Sequence, residues 1–416
     1  MASKKPLARV LATFGTASDG RLGLGFPIAR ELYPRIVACL AGYSVQQVSC
    51  GGAHTAVVTD DGTLLTFGLN DKGQLGHSRE DKFVAAPIEV GLPDPVMAVA
   101  AGGSHTLALT TAGEVWGWGM AGEGALGIGD PDQGRQVEPR LVKHLTGQDV
   151  VALAAGDHHS LALTKGGEVL SWGRGDHGAL GHGAVHGHVG VEMLPKKVRA
   201  LAGARIASIA AGPFSSGALD REGSAWGWGY GNSGQLGTGR YANELQPVEL
   251  RALPSGLRSL ALGQLHSLAV LATGEVASFG MDSHGSLGAG QATLRTRQTV
   301  APKIVPGLPP CRAVAVGWHH SAAVAEDGRL FTWGASGAAG QGRFQDYGGG
   351  QLGLGDDEDR WSPEQVFRLH TSAHRFYDLR TSYIKAQPWR VKQISAGRNH
   401  TAAVIETPLD TRDLAS

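Results

Sequence analysis

The sequence predicts an all-β fold, a ring of seven four-stranded units that strands from the N-terminus close. Three observations predict it. A Gly-x-x-His-Ser/Thr pattern recurs along the chain, an aromatic-Gly pair begins thirteen residues after each His, and the Gly of a Leu-Gly pair follows the aromatic by nine residues. Because a repeat with fixed internal offsets is one supersecondary unit that stacks on its copies, the spacing determines the architecture.

Each repeat is predicted to contain about four short strands. The His positions are His54, His105, His159, His266 and His320, with Ser215 in the place of a sixth, and the aromatics that follow are Phe67, Trp118, Trp172, Trp228, Phe279 and Trp333. A Gly eight residues after each His position is typical of a hairpin turn, where Gly supplies a positive φ. A unit of 51 to 56 residues cannot bury both faces of its sheet alone, so we expect radial stacking in a β-propeller.

The two ends of the chain complete one another. The last Gly-x-x-His ends at His400, and no Trp-Gly follows it before Ser416. Phe14-Gly15 and Leu22-Gly23 keep the nine-residue offset but have no His before them. We therefore expect the N-terminal strands to complete the seventh blade. The predicted organisation is a tail over 1–7, a propeller over 8–405 and a second tail over 406–416.

At this point the repeat resembles that of the regulator of chromosome condensation family. The segments GGAHTAVVTDDGTLLTFGLNDKGQLG (51–76), GSHTLALTTAGEVWGWG and GYGNSGQLGTG carry the resemblance, which covers about residues 8–405. It implies a seven-bladed β-propeller. Because members of one fold carry out different functions, the fold alone does not give the function.

The composition excludes several classes of function. Lys plus Arg equals Asp plus Glu at 37 each, so the net charge is zero, which argues against nucleic acid or an anionic membrane as a partner. No apolar run approaches the length that spans a bilayer. The three cysteines are scattered without metal-ligand spacing and suit a reducing compartment. The expected location is intracellular, in the cytoplasm or on the cytoskeleton (a cilium is one setting), with the nucleus as an alternative and secretion excluded.

The repeated histidines and aromatics are interpreted as structural. An enzyme does not need one equivalent histidine in each blade, so we expect these side chains, His400 and Phe14 included, to bond the backbone near the inner strands or to pack between blades. A second group, His158, His159, His177, His182, His186 and His188, could suggest a metal. Because its segment is rich in Gly and lacks Cys, we expect a solvated loop. Neither a metal nor another cofactor is predicted.

The resemblance suggests two activities. The first is guanine-nucleotide exchange on the Ran GTPase, the founding activity of the family, which uses a propeller face and a protruding wedge. In this chain, blades two to five have no wedge-like insertion between Trp-Gly and Leu-Gly, and the basic tail of the founding member is reduced to Ser3-Lys4-Lys5. The plant UV-B photoreceptor carries Gly-Trp-Arg-His-Thr in three adjacent blades, whereas this chain has one partial match around Trp318. We therefore do not expect photoreception, but Trp318 remains a candidate contact residue.

The repeat is interrupted most strongly between Trp333 and His400. The aromatic-to-Gly offset grows from nine to twenty, and Gly353 to His400 takes 47 residues where other junctions take 29 to 34. These two expansions, 335–350 and 368–390, are assigned to one blade boundary. They are rich in Tyr, Trp, Phe and Arg, the residue types enriched at binding hot spots. Together with Trp318, the candidate partner-binding residues are Arg343, Phe344, Tyr347, Arg375, Phe376, Tyr377, Arg380, Tyr383 and Trp389. The alternative is that these loops fold back over their own blade.

The predicted function is a non-enzymatic scaffold or adaptor in a larger protein assembly. Such a protein binds protein partners through loops on a rigid ring. The alternative is an exchange factor or regulator for a small Ran-like GTPase, which would use acidic and His residues on one propeller face.

Overall fold

In the computed structural model, the described residues are 7–78, 81–129, 134–183, 190–290, 298–337, 349–371, 375–379 and 389–407. They form seven sheets whose strand pairs are antiparallel, apart from one parallel pair near the outer edge of the seventh. The first strand of each sheet contacts the first strand of the next, and the seventh contacts the first, so the sheets close into a ring. The predicted all-β, seven-bladed propeller is confirmed. Four one-turn 3-10 helices, Ala38–Leu40, Lys143–Leu145, Asp176–Gly178 and Arg199–Leu201, lie in the connections.

Six of the seven blades contain four consecutive strands, numbered here from the channel outwards. Blade 1 is β3 (Val45–Cys50), β4 (His54–Thr59), β5 (Leu64–Leu69) and β6 (Phe83–Glu89); blade 2 is β7 (Val96–Ala101), β8 (His105–Thr110), β9 (Val115–Met120) and β10 (Arg135–Leu141); blade 3 is β11 (Val150–Ala155), β12 (His159–Thr164), β13 (Val169–Arg174) and β14 (Val191–Lys197); blade 4 is β15 (Ile206–Ala211), β16 (Ser215–Asp220), β17 (Ala225–Gly229) and β18 (Glu244–Glu249); blade 5 is β19 (Ser259–Leu262), β20 (His266–Val270), β21 (Val276–Met281) and β22 (Gln298–Ile304); blade 6 is β23 (Cys311–Val316), β24 (His320–Ala325), β25 (Leu330–Gly334) and β26 (Arg360–Val366).

Blade 7 joins the two ends of the chain. Its strands are β29 (Arg390–Ala396), β30 (His400–Thr407), β1 (Ala8–Thr16) and β2 (Arg30–Ile36), followed at the outer edge by β27 (Arg368–His370) and β28 (Phe376–Asp378). Phe14 lies opposite Thr401 and Gly15 opposite His400, so the predicted closure by N-terminal strands is confirmed. Blade 7 differs from the four-stranded prediction because β27 and β28, which come from the second expansion, extend its sheet.

The fourth strand of every blade contains a proline. These residues are Pro34, Pro87, Pro139, Pro195, Pro247, Pro302 and Pro363. The pairing of the third strand with the fourth shifts register in every blade. Because proline has no N–H to donate, it suits an edge strand and disfavours the addition of a further strand. In blade 7, β27 pairs with β2 at one position, Arg35 with His370, beside Pro34.

The repeat aromatics pack between neighbouring blades. Each is fully buried, and all seven lie in the third strand of a blade: Phe14, Phe67, Trp118, Trp172, Trp228, Phe279 and Trp333. Trp118 of blade 2 packs against the blade 1 residues Ala56, Val58 and Leu64. The Gly of each Leu-Gly pair touches the aromatic of the next blade, and a Cβ at Gly127 would approach Trp172 Nε1 to 2.8 Å.

A hydrogen-bonded relay crosses six of the seven seams between blades. The imidazole Nε2 of each repeat His lies 2.8–3.0 Å from a hydroxyl of the next blade, and the pairs are His54–Thr106, His105–Ser160, His159–Ser216, His266–Ser321, His320–Thr401 and His400–Thr55. These partners are side-chain hydroxyls of the neighbouring blade, whereas backbone partners were expected from the sequence.

The relay continues from the hydroxyl to a carbonyl oxygen. Thr106 Oγ1 donates to the carbonyl of Gln74 at 2.8 Å, and Trp118 Nε1 donates to the same carbonyl at 3.0 Å. Since the hydroxyl hydrogen is used in this way, the hydroxyl can only accept from His54 Nε2–H. The arrangement therefore requires a proton on Nε2, and burial, which lowers the pKa of His54 to about 4, keeps this imidazole neutral at neutral pH.

The seam between blades 4 and 5 lacks this relay. Ser215 stands at the His position, and its buried hydroxyl has no hydrogen-bond partner among the described residues. Two leucines of blade 5 pack beside Gly217, two residues further along the same strand, since a Cβ at Gly217 would meet Leu260 Cδ2 at 2.9 Å and Leu262 Cδ1 at 3.1 Å. Apolar packing therefore accompanies the missing hydrogen bond at this seam.

We expect Gly127→Ala to destabilise the propeller more than Gly147→Ala. Both glycines have a positive φ, +69° and +76°, and the left-handed conformation alone costs an alanine about 1 kcal/mol. A Cβ at Gly127 also collides with the Trp172 ring, whereas a Cβ at Gly147 meets no described atom within 4 Å. The collision should add about 2 kcal/mol. Thermal unfolding midpoints of the two variants measure the difference, and equal midpoints would contradict the packing role of the Leu-Gly glycine.

Acidification should weaken the fold through the relay. Burial lowers the pKa of His54 and His159 to about 4 and that of His105, His266 and His320 to about 3, and it holds the pKa of His400 well below its usual range. An unfolded His titrates near pH 6.5. The stabilisation is therefore complete above about pH 6.5 and is lost as the pH falls towards the folded-state values.

The measurement is the unfolding free energy between pH 7.5 and 5.5, above the range in which most carboxylates titrate. Each relay His contributes a slope of up to about 1.4 kcal/mol per pH unit. His105→Gln should be less stable at pH 7.5 but show a shallower slope, because one proton fewer is taken up on unfolding. A stability that does not change over this range would contradict the neutral relay.

Candidate partner-binding face

The loops that precede the repeat histidines meet at one end of the central channel. They are 51–53, 102–104, 156–158, 212–214, 263–265, 317–319 and 397–399. Residues from all seven loops or the strands beside them line one cavity of about 80 Å³ at the channel mouth. We call this end of the propeller, together with the loops between third and fourth strands, the histidine face. The opposite end, which carries the hairpin turns, is the turn face.

An arginine reaches across the channel mouth. Arg398 of blade 7 places Nη2 at 3.0 Å from the Asp157 carboxylate of blade 3. Its guanidinium also lies over the Trp318 ring of blade 6, 4.3 Å from the centroid. The carboxylate and the aromatic face both stabilise the cation. The three residues therefore form one group, the mouth cluster, although they come from three blades.

Small residues on blades 1 and 2 leave room for this group. A Cβ at Gly52 would lie 2.4 Å from the Gly103 carbonyl and 3.2 Å from Arg398 Nε, and a Cβ at Gly103 would lie 2.7 Å from the Asp157 carbonyl. The loops on this side of the mouth must therefore remain without side chains. Among the loops that precede the repeat histidines, those of blades 3 to 7 carry the large side chains.

Beside the mouth, aromatic and charged side chains of blades 2 to 4 contact one another. His177 packs against Tyr230 with ring centroids 4.9 Å apart, and Phe214 lies 6.3 Å from the rings of His158 and His177. The Glu123 carboxylate pairs with His158 and, at 2.9 Å, with Arg174. His177 holds a left-handed backbone, φ 59°, which a non-glycine residue adopts at a cost.

On blades 5 and 6, a second histidine pair lies beside Trp318. His284 also has a left-handed backbone, φ 58°, and its Nδ1 lies 2.8 Å from the Asp359 carboxylate. This hydrogen bond raises the pKa of His284, whereas burial lowers the pKa of the neighbouring His319 to about 4. Their rings lie 6.3 Å apart. Within this pair, His284 is therefore the imidazole that takes up a proton more readily.

The candidate partner-binding residues other than Trp318 belong to the two expansions. Arg343, Phe344, Tyr347, Arg380 and Tyr383 lie outside the described residues, as do His186 and His188 of the histidine group. Of the others, Arg375 and Phe376 are exposed at the outer edge of blade 7, with Phe376 60% exposed. Trp318, in contrast, lies at the channel mouth.

Part of the second expansion folds back onto blade 7. Trp389 is buried in the core shared by blades 6 and 7, and the Tyr377 ring packs against it with centroids 5.6 Å apart. Both expansions meet β2: a Cβ at Gly350 would touch the Glu31 carbonyl, and His370 Nδ1 lies 3.3 Å from a Glu31 carboxylate oxygen. The Tyr377 and Trp389 side chains therefore serve the packing of blade 7.

A cavity of about 230 Å³ accompanies this packing at the turn-face end of blades 6 and 7. Its described lining includes Leu369, Leu379, Trp389 and the turn residues Asp327 and Arg329.

Among the described residues, no group of three or more His, Cys, Asp or Glu side chains could hold a metal ion. Within the same residues, no helix is long and apolar enough to span a bilayer.

Sequence reasoning did not select most of the histidine face. Asp157, His158, Phe214, His319 and Arg398 all occupy the two variable positions of the Gly-x-x-His loops. Their place in these loops could have identified them, because the loops must converge at the channel in a propeller. The pairing of Arg398 with Asp157 could not be predicted in this way, since the two residues are 241 positions apart in the sequence.

Comparisons with known proteins agree with the propeller. The family model described as RCC1-like domain matches residues 10–403. The chain is 36% identical over 317 residues to the E3 ubiquitin-protein ligase HERC2 of Homo sapiens, which covers 74% of this chain but 6% of HERC2. It is 30% identical over 410 residues to the regulator of chromosome condensation of Xenopus laevis, covering 94% of this chain and 89% of that protein.

A solved structure has the same architecture along nearly the whole chain. Prp20p from Saccharomyces cerevisiae, described with its binding properties to Gsp1p and histones, superposes with a TM-score of 0.80 at 25% sequence identity. The similarity covers 99% of this chain and 94% of that one.

Proposed function

The chain belongs to the family of RCC1-like domains, and we propose from this premise that it is a non-enzymatic scaffold that holds a protein partner on its histidine face. The observation that carries the proposal is the concentration of Trp318, Arg398, Phe214, Tyr230 and His177 on the histidine face, the first two at the channel mouth. Trp, Tyr and Arg are the residue types that dominate binding energy at protein interfaces.

The ring beneath these residues supports the proposal. The loops project from inner strands whose seams are tied by the His relay and by buried aromatics. A rigid support lowers the entropy that is lost when loops bind a partner. The loops that precede the repeat histidines are also one-sided, with large side chains on blades 3 to 7 and small residues on blades 1 and 2. A partner would therefore dock in one orientation.

The outer edge of blade 7 supplies a second contact in this proposal. Arg375 and Phe376 are exposed there, and Arg368 lies over the Phe376 ring at 5.6 Å. The expansions 335–350 and 368–390 would extend the contact, with the propeller over 8–405 as the binding unit. We propose that the scaffold acts inside the cell, in the cytoplasm or on the cytoskeleton.

The test compares variants of the intact chain in their capture of a stoichiometric partner from the cells that make the protein. We expect Trp318→Ala and Phe214→Ala to weaken capture by roughly 30-fold or more, the loss typical of a hot spot. Phe83→Ala, an exposed residue of β6 on the rim of blade 1, is the matched control and should retain the partner. Phe376→Ala reports on the second contact.

Thermal midpoints of the variants show whether each remains folded. Capture that is unchanged by both histidine-face substitutions would overturn the proposed surface. Loss of the partner only with Phe376→Ala would move the principal contact to the edge of blade 7.

Exchange on a small Ran-like GTPase is the second candidate. It is favoured by the similarity to the regulator of chromosome condensation over 94% of the chain and by the acidic and His residues Asp157, His158 and His319 on the histidine face. An exchange factor should accelerate release of a fluorescent GDP from such a GTPase and hold its nucleotide-free form. An unchanged release rate with excess propeller would exclude this activity for the GTPase used.

A further inference from the structure

The mouth cluster contains two buried donors without a partner. Trp318 Nε1 and Arg398 Nε are both inaccessible to solvent, and no acceptor among the described residues reaches either atom. Leaving a buried N–H unpaired costs free energy, so such groups in native proteins usually have a partner, a bound water or a function. Both residues line the same cavity at the channel mouth.

The chemistry of the two donors selects the ligand. An indole N–H and a guanidinium N–H can only donate, and a carboxylate only accepts. A hydrogen bond between a guanidinium and a carboxylate is charge-assisted and is about twice as strong as one between neutral groups. The cavity of about 80 Å³ has room for a carboxylate, since a water molecule takes roughly 30 Å³.

Asp157 bonds one edge of the guanidinium and does not bond Nε. It contacts Nη2 at 3.0 Å and so compensates the charge of this partly exposed guanidinium. The carboxylate of Asp157 is itself largely buried. It therefore holds Arg398 across the channel and repels a second carboxylate, which sets a modest affinity.

We infer that the mouth cluster is a receptor for a carboxylate, supplied by an acidic side chain at the tip of a partner loop that enters the propeller channel. Trp318 Nε1 and Arg398 Nε donate to this carboxylate, and Asp157 competes with it for Arg398. The inference rests on the proposed function, because it names the chemistry by which the histidine face recognises its partner.

Acetate serves as the probe, observed by NMR on the full chain labelled with nitrogen-15. The protein has nine tryptophans, and Trp318→Phe identifies the indole signal of Trp318. The indoles of Trp118, Trp172, Trp228 and Trp333 donate to carbonyls between blades, so their signals report whether each variant remains folded. Sodium chloride at equal ionic strength is the control.

Acetate should shift the Trp318 signal saturably at millimolar concentration, while the four reference signals stay in place. Arg398→Gln should abolish the shift. Asp157→Asn should tighten acetate binding by roughly fivefold, because it removes a like charge from a partly screened site. A merely structural Asp157 would instead leave the affinity unchanged or weaken it.

The inference is overturned if acetate has no saturable effect, which would indicate that water alone fills the cavity, or if chloride or Arg398→Gln gives the same shift. A captured partner should displace acetate from Trp318. Acetate binding that the partner leaves unaffected would assign the site to a free anion and contradict the docking role. Failure of the acetate titration while capture still depends on Phe214 would reject this inference and leave the scaffold proposal standing.

Discussion

The structure depends on the relay that crosses the seams between blades. An imidazole donates to a hydroxyl of the next blade, and that hydroxyl and an indole donate to one carbonyl of the preceding blade. Because each bond joins two blades, no blade satisfies its buried polar groups alone, which couples the sheets into one ring. The neutral imidazole makes this relay sensitive to acid, since a proton added to its second nitrogen would leave a positive charge buried without compensation. The aromatics add the apolar area that the relay lacks.

The seam between blades 4 and 5 shows that one seam forms without the relay. With Ser215 in the His position, Leu260 and Leu262 enter the space beside Gly217. Replacement of a polar pair by well-packed apolar groups is often close to neutral for stability. Ser215 directly follows Phe214, whose ring lies near those of His158 and His177 on the histidine face. The departure from the repeat therefore accompanies the residues to which we assign partner binding.

The fold could be predicted from the sequence because constant spacing is a property of the chain alone. The offsets from His54 to Phe67 and from Phe14 to Gly23 were sufficient to place seven blades and their closure. The site could be predicted only in part. Trp318 departs visibly from the repeat, but its contact with Arg398 and the bond from Arg398 to Asp157 arise only when the ring has closed. Trp389 and Tyr377 are residue types that are common at interfaces, yet in this structure they pack against each other and the core beside blade 7.

The central claim is that the repeat residues hold the ring and that the variable positions of its inner loops recognise a partner. Hydrogen–deuterium exchange of the chain, alone and with its captured partner, tests this claim most directly. The account predicts slower exchange in the loops 156–158, 212–214 and 317–319 on binding, with the hairpin turns of the turn face unchanged. Protection confined to those hairpin turns, with the histidine face exchanging as in the free chain, would contradict it.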